Sequence, residues 1–366
     1  MAVDRLAIVG TGLIGASVGL AAKRAGVGRV TGYDVDGQAL ALAGERGAID
    51  EASPSLAEAV REAELALVAV PVTQLPAQVA AVLAASAEAC TVTDVGSTKS
   101  AVCAGAGSTR FLGGHPVCGS EARGAEYGSA ELFQGATWFL TPLAETDSTR
   151  YRLVHSFVGE LGAIPVAVDP DAHDRLVALT SHLPHAIANL LVNQAGERRV
   201  EGHDPLAAAG GSLHEMTRVA GANPRIWVDI FLDNAVELAD ALAEHRRRLE
   251  QLETALAAGD AGFLARWIGE AAENRRRMLA GAFADPGGLQ RVRVHVPDRP
   301  GVLAGITQAL GAERINIEDF ELRHLSPERG GSLTLLVAGE RQAARAAELL
   351  EAQGYGASVS PVLEEP

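Results

Sequence analysis

The chain has 366 residues, more than one hydrophobic core usually organises, so two or three domains are expected. Hydrophobic residues make up 48% of the chain and the mean hydropathy is +0.12, which excludes a disordered or fibrous protein. The 46 acidic residues outnumber the 31 basic ones, and the net charge of −15 disfavours nucleic acids and anionic membranes as partners.

The start of the sequence leads directly into an apolar strand without a signal-peptide pattern. No apolar run approaches the ~20 residues that span a bilayer. The three cysteines, Cys90, Cys103 and Cys118, have no CxxC spacing, which favours neither a disulfide framework nor a zinc site. A cytoplasmic protein without membrane or metal partners is therefore expected.

A dinucleotide-binding pattern opens the chain. Residues 6–9 form a short apolar run typical of a buried parallel strand, and Gly10, Gly12 and Gly15 follow as GxGxxG before a helical segment. Gly10 suits a tight turn, Gly12 suits backbone approach to a pyrophosphate, and Gly15 suits close packing of helix and strand. Leu13 and Ile14 complete the predicted phosphate-binding loop.

A second strand ends at Asp34, nineteen residues after Gly15. A carboxylate at this spacing accepts hydrogen bonds from a ribose 2′-hydroxyl and repels a 2′-phosphate, so the pattern favours NAD over NADP. Asp36 is the alternative acid, although it lies further past the end of the strand.

Strands and helices continue to alternate, which predicts a doubly wound parallel sheet within residues 1–168. Val70 and Pro71 follow one strand before a helix over about 74–85, and Ser97 follows another. All three are expected at the carboxyl ends of the strands, where such sheets bind ligands. Ser97 is either an N-cap or a substrate-facing residue, and the two roles are compatible.

Residues 113–121 read as a glycine-rich loop that holds a histidine, a hydroxyl and a carboxylate: His115, Ser120 and Glu121. Glycines around His115 permit close approach to a ligand, and Pro116 fixes the chain beyond it. A held imidazole is suited to proton transfer near neutral pH. The alternative is that His115 only satisfies a turn.

A helical second domain is predicted over residues 169–285. Ser181, His182 and His185 lie around Pro184, which starts or kinks a helix. The two histidines could be read as metal ligands, but no accompanying acid or cysteine set supports this, and a core role for one and a pocket role for the other is favoured.

Further along, Arg218 lies between apolar neighbours and Trp227 nine residues later. The arginine either forms a structural salt bridge or binds a carboxylate ligand. One helix is predicted from about Arg225 to Ala258, with an apolar stripe at alternating spacings of four and three. So long a stripe predicts a homodimer, against the alternative of a long helix within one bundle.

After a linker at residues 285–288, the order strand, helix, strand, strand, helix, strand predicts a third domain over 289–366. The loop 297–303, which contains Gly301, and the pair Asn316 and Ile317 in the predicted second strand make this region resemble an ACT domain. That resemblance implies an amino-acid site with Gly301, Asn316 and Ile317 as regulatory contacts. A purely structural module is the alternative.

Together these motifs resemble the prephenate/arogenate dehydrogenase family of tyrosine biosynthesis. The matching segments are the GxGxxG, residues 94–99, Gly114-His115-Pro116 with Gly119-Ser120-Glu121, residues 181–185, and Thr217-Arg218 with Trp227. The resemblance implies an NAD-dependent oxidative decarboxylation, in which His115 accepts the proton of the ring hydroxyl and Ser97 orients the imidazole. It also implies that Arg218 clamps a substrate carboxylate.

The same resemblance implies that Ser181, His185 and Trp227 line the pocket, that Ser120 and Glu121 cover its mouth, and that tyrosine is an allosteric inhibitor. Glu121 would attract the ammonium group of arogenate and repel a second carboxylate, so arogenate stays open beside prephenate. A β-hydroxyacid dehydrogenase or ketoacid reductase is disfavoured, because those enzymes need a catalytic lysine in the helical domain and residues 170–260 contain no lysine. A non-catalytic sensor of NAD and amino acids is a further alternative.

Overall fold

The structure, a computed structural model, describes residues 3–118, 124–282, 288–326 and 330–362. The chain divides into two compact units, Met1–Arg247 and Arg248–Pro366. Sequence reasoning placed domain boundaries near residues 168 and 285, and those boundaries stay predictions.

An eight-stranded sheet forms the centre of the first unit, in the order β3-β2-β1-β4-β5-β6-β7-β8. The strands are β1 (Arg5–Val9), β2 (Arg29–Tyr33), β3 (Glu51–Ala52), β4 (Leu65–Val68), β5 (Thr91–Asp94), β6 (Phe111–Pro116), β7 (Thr137–Thr141) and β8 (Ile164–Ala167). Strands β1 to β6 pair in parallel, whereas β7 is antiparallel to β6 and parallel to β8. The predicted doubly wound sheet is confirmed, with two further strands, β7 and β8, that run in the opposite direction to β1–β6.

Helices cover both faces of this sheet. They are α1 (Leu13–Arg24), α2 (Gly37–Glu45), α3 (Leu56–Val60), α4 (Leu75–Ala85), α5 (Ser100–Ala106) and α6 (Ser148–Glu160). Leu6 and Ile8 of β1 enter one hydrophobic cluster, while Ala7 and Val9 enter the other. Because successive side chains of a strand point to opposite faces, this alternation buries β1 on both sides, as a central parallel strand requires.

The remainder of the first unit is helical: α7 (Pro170–Val177), a π-helical turn (Ala178–His182), α8 (Leu183–Glu197), α9 (Gly211–Met216), α10 (Pro224–Asp233) and the start of α11 (Ala235–Ala258). The prediction of one helix from about Arg225 to Ala258 is wrong, because the chain breaks at Asn234 (φ −107°, ψ 32°). The buried amide of Asn234 donates to the carbonyl of Asp174 and to Nδ1 of His182. These tertiary bonds hold Asn234 outside helical geometry, an effect that local periodicity does not reveal.

The second unit contains the rest of α11, then α12 (Ala261–Ala282), β9 (Leu289–Val296), α13 (Val302–Ala312), β10 (Asp319–Ser326), β11 (Gly330–Ala338), α14 (Glu340–Ala352) and β12 (Gly356–Pro361). Its sheet is antiparallel, in the order β10-β11-β9-β12. Val292 and Val294 of β9 pack against Ile306 and Leu310 of α13. The predicted βαββαβ order is confirmed, but Asn316 and Ile317 precede β10 and do not lie within it.

Among all the residues with assigned structure, no helix combines the length and the apolar character needed to cross a membrane.

Candidate active site

The glycine loop after β1 has the geometry that a dinucleotide pyrophosphate requires. Gly10 has a φ of +95°, and a Cβ at Gly15 would overlap the carbonyl oxygen of Gly10. A Cβ at Gly12 would meet nothing within 4 Å, so open space lies over the loop. No side chain caps the first turn of α1, where Leu13 and Ile14 lie. The backbone N–H groups of that turn are therefore able to bind an anion.

Two neighbouring carboxylates after β2 have different partners. Asp34 accepts hydrogen bonds from the backbone N–H of Thr11 at 2.7 Å and from its hydroxyl at 3.1 Å. Asp36 instead caps α2 by accepting from the N–H of Gln38 at 2.9 Å. Asp34 thus lies against the glycine loop, whereas the carboxylate of Asp36 is used by its own helix. This difference supports the choice of Asp34 over Asp36.

The predicted residues at the end of β4 lie beside the same loop. A Cβ at Gly10 would come within 3.2 Å of Cγ1 of Val70, which is half-buried. Pro71 is exposed and caps a short 3-10 turn that begins at Val72 and leads into α4. Both residues lie at the carboxyl edge of the parallel strands, where the sequence placed them.

His115 lies in strand β6, so the prediction of a glycine-rich loop at this position is wrong. A Cβ at Gly114 would come within 2.6 Å of the carbonyl oxygen of Asp94 and 2.9 Å of Nε1 of Trp138. The two glycines before His115 therefore let β6 pack closely on β5 and β7, rather than admitting a ligand. The half-buried His115 side chain is consequently held by the sheet itself.

A buried ion pair that sequence reasoning missed fixes the backbone beside His115. Lys99 and Asp94 are both fully buried and form a close salt bridge. Nζ of Lys99 also donates to the carbonyl of Gly114 at 2.9 Å, and Asp94 accepts from the N–H of Gly114 at 3.0 Å. Both backbone groups of the residue before His115 are thus engaged by buried charges, which restricts movement of the strand.

His173 and Asp174 of α7 also went unrecognised in the sequence. Nδ1 of His115 lies 2.9 Å from Nε2 of His173, and Nδ1 of His173 lies 2.8 Å from a carboxylate oxygen of Asp174. Phe139 of β7 packs against both imidazoles, with ring centroids 6.4 Å from His115 and 5.3 Å from His173. One signal was available, because Asp169 and Pro170 mark a helix start and helical spacing then puts His173 and Asp174 on its apolar face.

Asp174 also caps helix α5. Its two carboxylate oxygens accept from the backbone N–H groups of Lys99 and Ser100, each at 2.8 Å. Helix α5 begins at Ser100, so Ser97 is not its N-cap, and the substrate-facing interpretation of Ser97 remains. Ser97 is half-buried, and its hydroxyl makes no hydrogen bond to any residue that the structure describes. The expected contact by which Ser97 orients the His115 imidazole is therefore not seen among these residues, and Nδ1 of His115 pairs with His173 instead.

These contacts determine the charge states around His115. Burial lowers the pKa of His115 well below its usual value, and the nearby His173 and Lys99 side chains lower it further. Burial raises the pKa of Asp174, but hydrogen bonds from His173, Ser100 and Lys99 outweigh that effect and hold it below its usual value. The site therefore combines a neutral His115 with an ionised Asp174 at neutral pH.

The π-helical turn carries His182, whose charge influences His115, and His185 follows in the first turn of α8. Pro184 has no N–H with which to continue the α-helical ladder, and the helix widens before it, with the Leu183 N–H bonded to the Ala178 carbonyl. His182 is buried, and burial lowers its pKa to about 4. Half-buried His185 stacks on Trp227 of α10 with ring centroids 3.5 Å apart.

Helix α10, which carries Trp227, is fastened to the loops at the strand ends. The buried hydroxyl of Thr98 donates to Asp233, and the hydroxyl of Thr73 donates to Asp229 at 3.5 Å. Since Thr98 precedes α5 and Thr73 follows β4, these bonds link the helical region to the predicted cofactor edge.

The remaining predicted site residues make no hydrogen bond with His115 among the described residues. Ser181 is half-buried in the π-helical turn, and Arg218 is exposed in a turn after α9. Within the described part of the chain neither forms a hydrogen bond or ion pair with His115, and Arg218 has no acidic partner. Ser120 and Glu121 lie outside the described residues.

No group of three or more His, Cys, Asp or Glu side chains in the described ranges is arranged to hold a metal ion.

The second unit contains a cavity of about 190 Å³ at the predicted regulatory loop. Its lining includes Asp298, Arg299, Gly301 and Leu322. Gly301 has a φ of +88° and precedes the first turn of α13, which no side chain caps. Asn316 does not line this cavity, and its amide donates to Glu318 at 2.8 Å.

Comparison with known proteins gives consistent matches along the chain. Residues 18–166 match the family model "Prephenate dehydrogenase, nucleotide-binding domain", residues 169–270 match "Prephenate dehydrogenase, dimerization domain", and residues 290–354 match "ACT domain". Prephenate dehydrogenase of Bacillus subtilis is 31% identical over 96% of this chain and 96% of its own length.

Two solved structures resemble the chain over about three quarters of its length. Prephenate dehydrogenase of Aquifex aeolicus in complex with hydroxyphenyl propionate and NAD⁺ is 29% identical, with a TM-score of 0.70, covering 75% of this chain and 98% of that one. Arogenate dehydrogenase of Synechocystis is 28% identical, with a TM-score of 0.69, covering 75% and 99%.

Proposed function

The chain belongs to the prephenate dehydrogenase family, and on that premise we propose that it catalyses the NAD-dependent oxidative decarboxylation of prephenate to 4-hydroxyphenylpyruvate. The observation that carries the proposal is the state of His115. Its pKa is lowered and Nδ1 is bonded to His173, while Nε2 makes no hydrogen bond to any described residue. A neutral imidazole with one engaged nitrogen is suited to accept a proton at the other.

The nucleotide-binding loop fits NAD. A Cβ at Gly12 would occupy open space, the first turn of α1 has uncapped N–H groups, and the Asp34 carboxylate lies against the loop. When bound, NAD supplies the hydride acceptor for the carbon that carries the ring hydroxyl. A ribose hydroxyl would donate to Asp34, and a 2′-phosphate would be repelled by it.

His115 supplies the acid–base step. Its Nε2 accepts the proton of the ring hydroxyl while the hydride leaves the same carbon. The ring carboxylate then departs as CO2, its bonding electrons complete the aromatic ring, and the proton returns to the ring oxygen. The reaction consumes no proton overall and needs one base that is neutral before the step. The lowered pKa of His115 supplies such a base.

Substrate binding is assigned to the helical region. Arg218 would bind a substrate carboxylate through two parallel hydrogen bonds, and its lack of an acidic partner in the described structure supports a ligand role over a structural salt bridge. Ser181, His185 and Trp227 would form the pocket wall, Ser97 would contact substrate, and Ser120 with Glu121 would cover the mouth.

An absorbance assay at 340 nm tests the function. Prephenate with NAD should produce NADH, and His115→Ala should lower kcat by about 100-fold or more with little change in the KM for NAD. If neither prephenate nor arogenate gives NADH, the alternative of a non-catalytic sensor becomes the better explanation. Wild-type turnover by His115→Ala would remove His115 from the mechanism.

Arogenate is the second candidate substrate, because the Synechocystis arogenate dehydrogenase superposes as well as the Aquifex aeolicus enzyme, with TM-scores of 0.69 and 0.70. Glu121 would attract the ammonium group of arogenate. A higher kcat/KM for arogenate than for prephenate in the same assay would reverse the substrate assignment.

We further infer that the active form is a homodimer, consistent with the dimerization domain matched at residues 169–270. Several large apolar side chains of the helical region are exposed: Leu190 at 60%, Ile226 at 48%, Val228 at 53%, Leu232 at 69% and Val236 at 74%. Such a surface favours association with a second copy. A monomeric mass by light scattering at micromolar concentration would contradict this inference.

We also infer that tyrosine inhibits the enzyme through the second unit. The cavity beside Gly301 adjoins the start of α13, where backbone N–H groups favour a carboxylate. The sequence also predicts Asn316 and Ile317 as contacts. Because tyrosine also resembles the aromatic product, the test is a chain truncated after residue 285. Inhibition at an unchanged tyrosine concentration in a folded, active truncated enzyme would contradict the regulatory role.

The cytoplasm is the proposed location. Cys90 and Cys103 are buried, Cys118 is half-buried, and all three thiols are free, as a reducing compartment permits.

A further inference from the structure

A chain of hydrogen bonds runs from His115 to a buried carboxylate. Nδ1 of His115 lies 2.9 Å from Nε2 of His173, and Nδ1 of His173 lies 2.8 Å from Asp174. We propose that His173 and Asp174 form a positioning relay that fixes the proton of His115 on Nδ1 and so keeps Nε2 as the base. This proposal rests on the proposed function, since it assigns how His115 is prepared for that reaction.

The direction of the protons follows from the end of the chain. The ionised carboxylate of Asp174 can only accept hydrogen bonds, and it already accepts from the backbone N–H groups of Lys99 and Ser100. Nδ1 of His173 must therefore donate to it. A neutral His173 then presents a lone pair at Nε2, and Nδ1 of His115 must donate to that lone pair. The hydroxyl-facing nitrogen of His115 is consequently unprotonated.

The same chain accommodates the charge that appears during the reaction. When Nε2 of His115 takes the hydroxyl proton, the imidazolium keeps its Nδ1–H bond to His173. The negative charge of Asp174 lies on the other side of His173, which is 0% exposed, so little solvent screens that charge from His115. The near-perpendicular rings, at 75°, place an edge of one imidazole against the other.

Other charged groups also influence His115. Lys99, from the segment before α5, His182, from the π-helical turn, and His173 each lower its pKa, while Asp174 raises it. Among these four neighbours only Asp174 favours the protonated form. Removing its charge should therefore move the acid limb of kcat/KM for prephenate to lower pH, since His115 would stay neutral in more acidic solution.

Two substitutions of His173 separate its two contacts. In His173→Gln the side-chain amide lies where Nε2 was, so an acceptor for His115 remains. In His173→Asn the amide lies where Nδ1 was, so only the contact to Asp174 remains. We expect kcat to fall by about tenfold or more in the Asn variant and by less than about threefold in the Gln variant, with the KM for NAD unchanged in both. Equal losses in the two variants would contradict the relay.

Asp174→Asn tests the carboxylate. The acid limb should move to lower pH and kcat should fall, and a fall in kcat with an unmoved limb would mean that Asp174 serves only the cap of α5. Asp171→Asn is the matched control, because Asp171 is an exposed carboxylate on the same helix. It should keep kcat within about twofold of wild type.

Nitrogen-15 NMR of histidine-labelled, full-length protein tests the proton position without any turnover. At pH 7.5 we expect His115 protonated at Nδ1 and bare at Nε2, with His173 neutral and protonated at Nδ1. A proton on Nε2 of His115, or an imidazolium at His173, would overturn the relay even in an active enzyme. An enzyme inactive toward prephenate that shows the expected tautomers would instead refute the proposed function alone.

Discussion

Replacement of Gly114 by alanine tests whether the packing of β6 sets the position of His115. The new Cβ would lie 2.6 Å from the carbonyl oxygen of Asp94, 2.9 Å from Nε1 of Trp138 and 3.1 Å from Oγ1 of Thr93. Since ordinary contacts begin near 3.5 Å, the strand must move by about 0.9 Å away from Asp94. Asp94 and Trp138 are fully buried, so the neighbours cannot yield easily.

The expected cost has two parts. Overpacking of a close-packed core lowers the free energy of unfolding by roughly 1–3 kcal/mol. The 2.9 Å hydrogen bond between His115 and His173 does not survive a shift of that size, and a misplacement near 1 Å can lower kcat by about 100-fold. Both changes arise from one added methyl group.

The assay pairs thermal unfolding with turnover of prephenate at 340 nm. Gly44→Ala is the control, because Gly44 lies inside α2 with nothing within 4 Å of its would-be Cβ. That variant should keep wild-type kcat and gain up to about 1 kcal/mol of stability. A Gly114→Ala protein with wild-type melting temperature and kcat would refute the idea that close strand packing positions the imidazole.

Three further outcomes are expected. Asp34→Ala should lower kcat/KM for NAD by about tenfold or more and narrow the preference for NAD over NADP. Asp36→Ala should lower the free energy of unfolding by about 1 kcal/mol without changing that preference. Equal kcat/KM for NAD and NADP in the wild type would contradict the role of Asp34. Arg218→Lys should lower kcat/KM for prephenate by about 10- to 150-fold, from the ~1.5–3 kcal/mol of a charged hydrogen bond, and a change below about threefold would favour a structural role. The pKa of His182 is about 4 in the folded protein and about 6.5 in the unfolded chain, so the unfolded chain binds more protons between these two pH values. The free energy of unfolding therefore falls as the pH drops below about 6.5, by up to roughly 3 kcal/mol. In denaturant unfolding, the free energy of unfolding of the wild type minus that of His182→Leu should therefore fall from pH 7 to pH 5. A difference that stays constant with pH would argue against a neutral buried His182.

The nucleotide-binding half was predictable because its determinants are local. The turn at Gly10, the helix after Gly12 and the acid at the end of β2 lie within one strand-helix-strand unit, where each residue type has a direct backbone consequence. The alternation of strands and helices likewise predicted the sheet. The reversed direction of β7 and β8 was not predicted, because strand direction depends on the connection and not on the apolar pattern.

The interior of the site was less predictable because its partners are distant in sequence. His173 meets His115 across 58 residues, and Asn234 meets Asp174 across 60. Neither contact leaves a periodic signal, so the break between α10 and α11 and the partner of the imidazole were both missed. Two polar side chains on the apolar face of α7, His173 and Asp174, were the one visible indication of a buried polar contact.

The bonds between Asp34 and Thr11 have a consequence for the redesign of cofactor preference. The carboxylate proposed to bind the ribose also accepts both hydrogen bonds from Thr11 in the glycine loop, so deleting the Asp34 side chain would alter both properties together. Removing Asp34 to admit NADP would loosen the turn and so weaken the binding of both NAD and NADP. A useful redesign would first give the N–H of Thr11 another acceptor, such as an asparagine or serine oxygen at position 34, and add a cation for the 2′-phosphate afterwards.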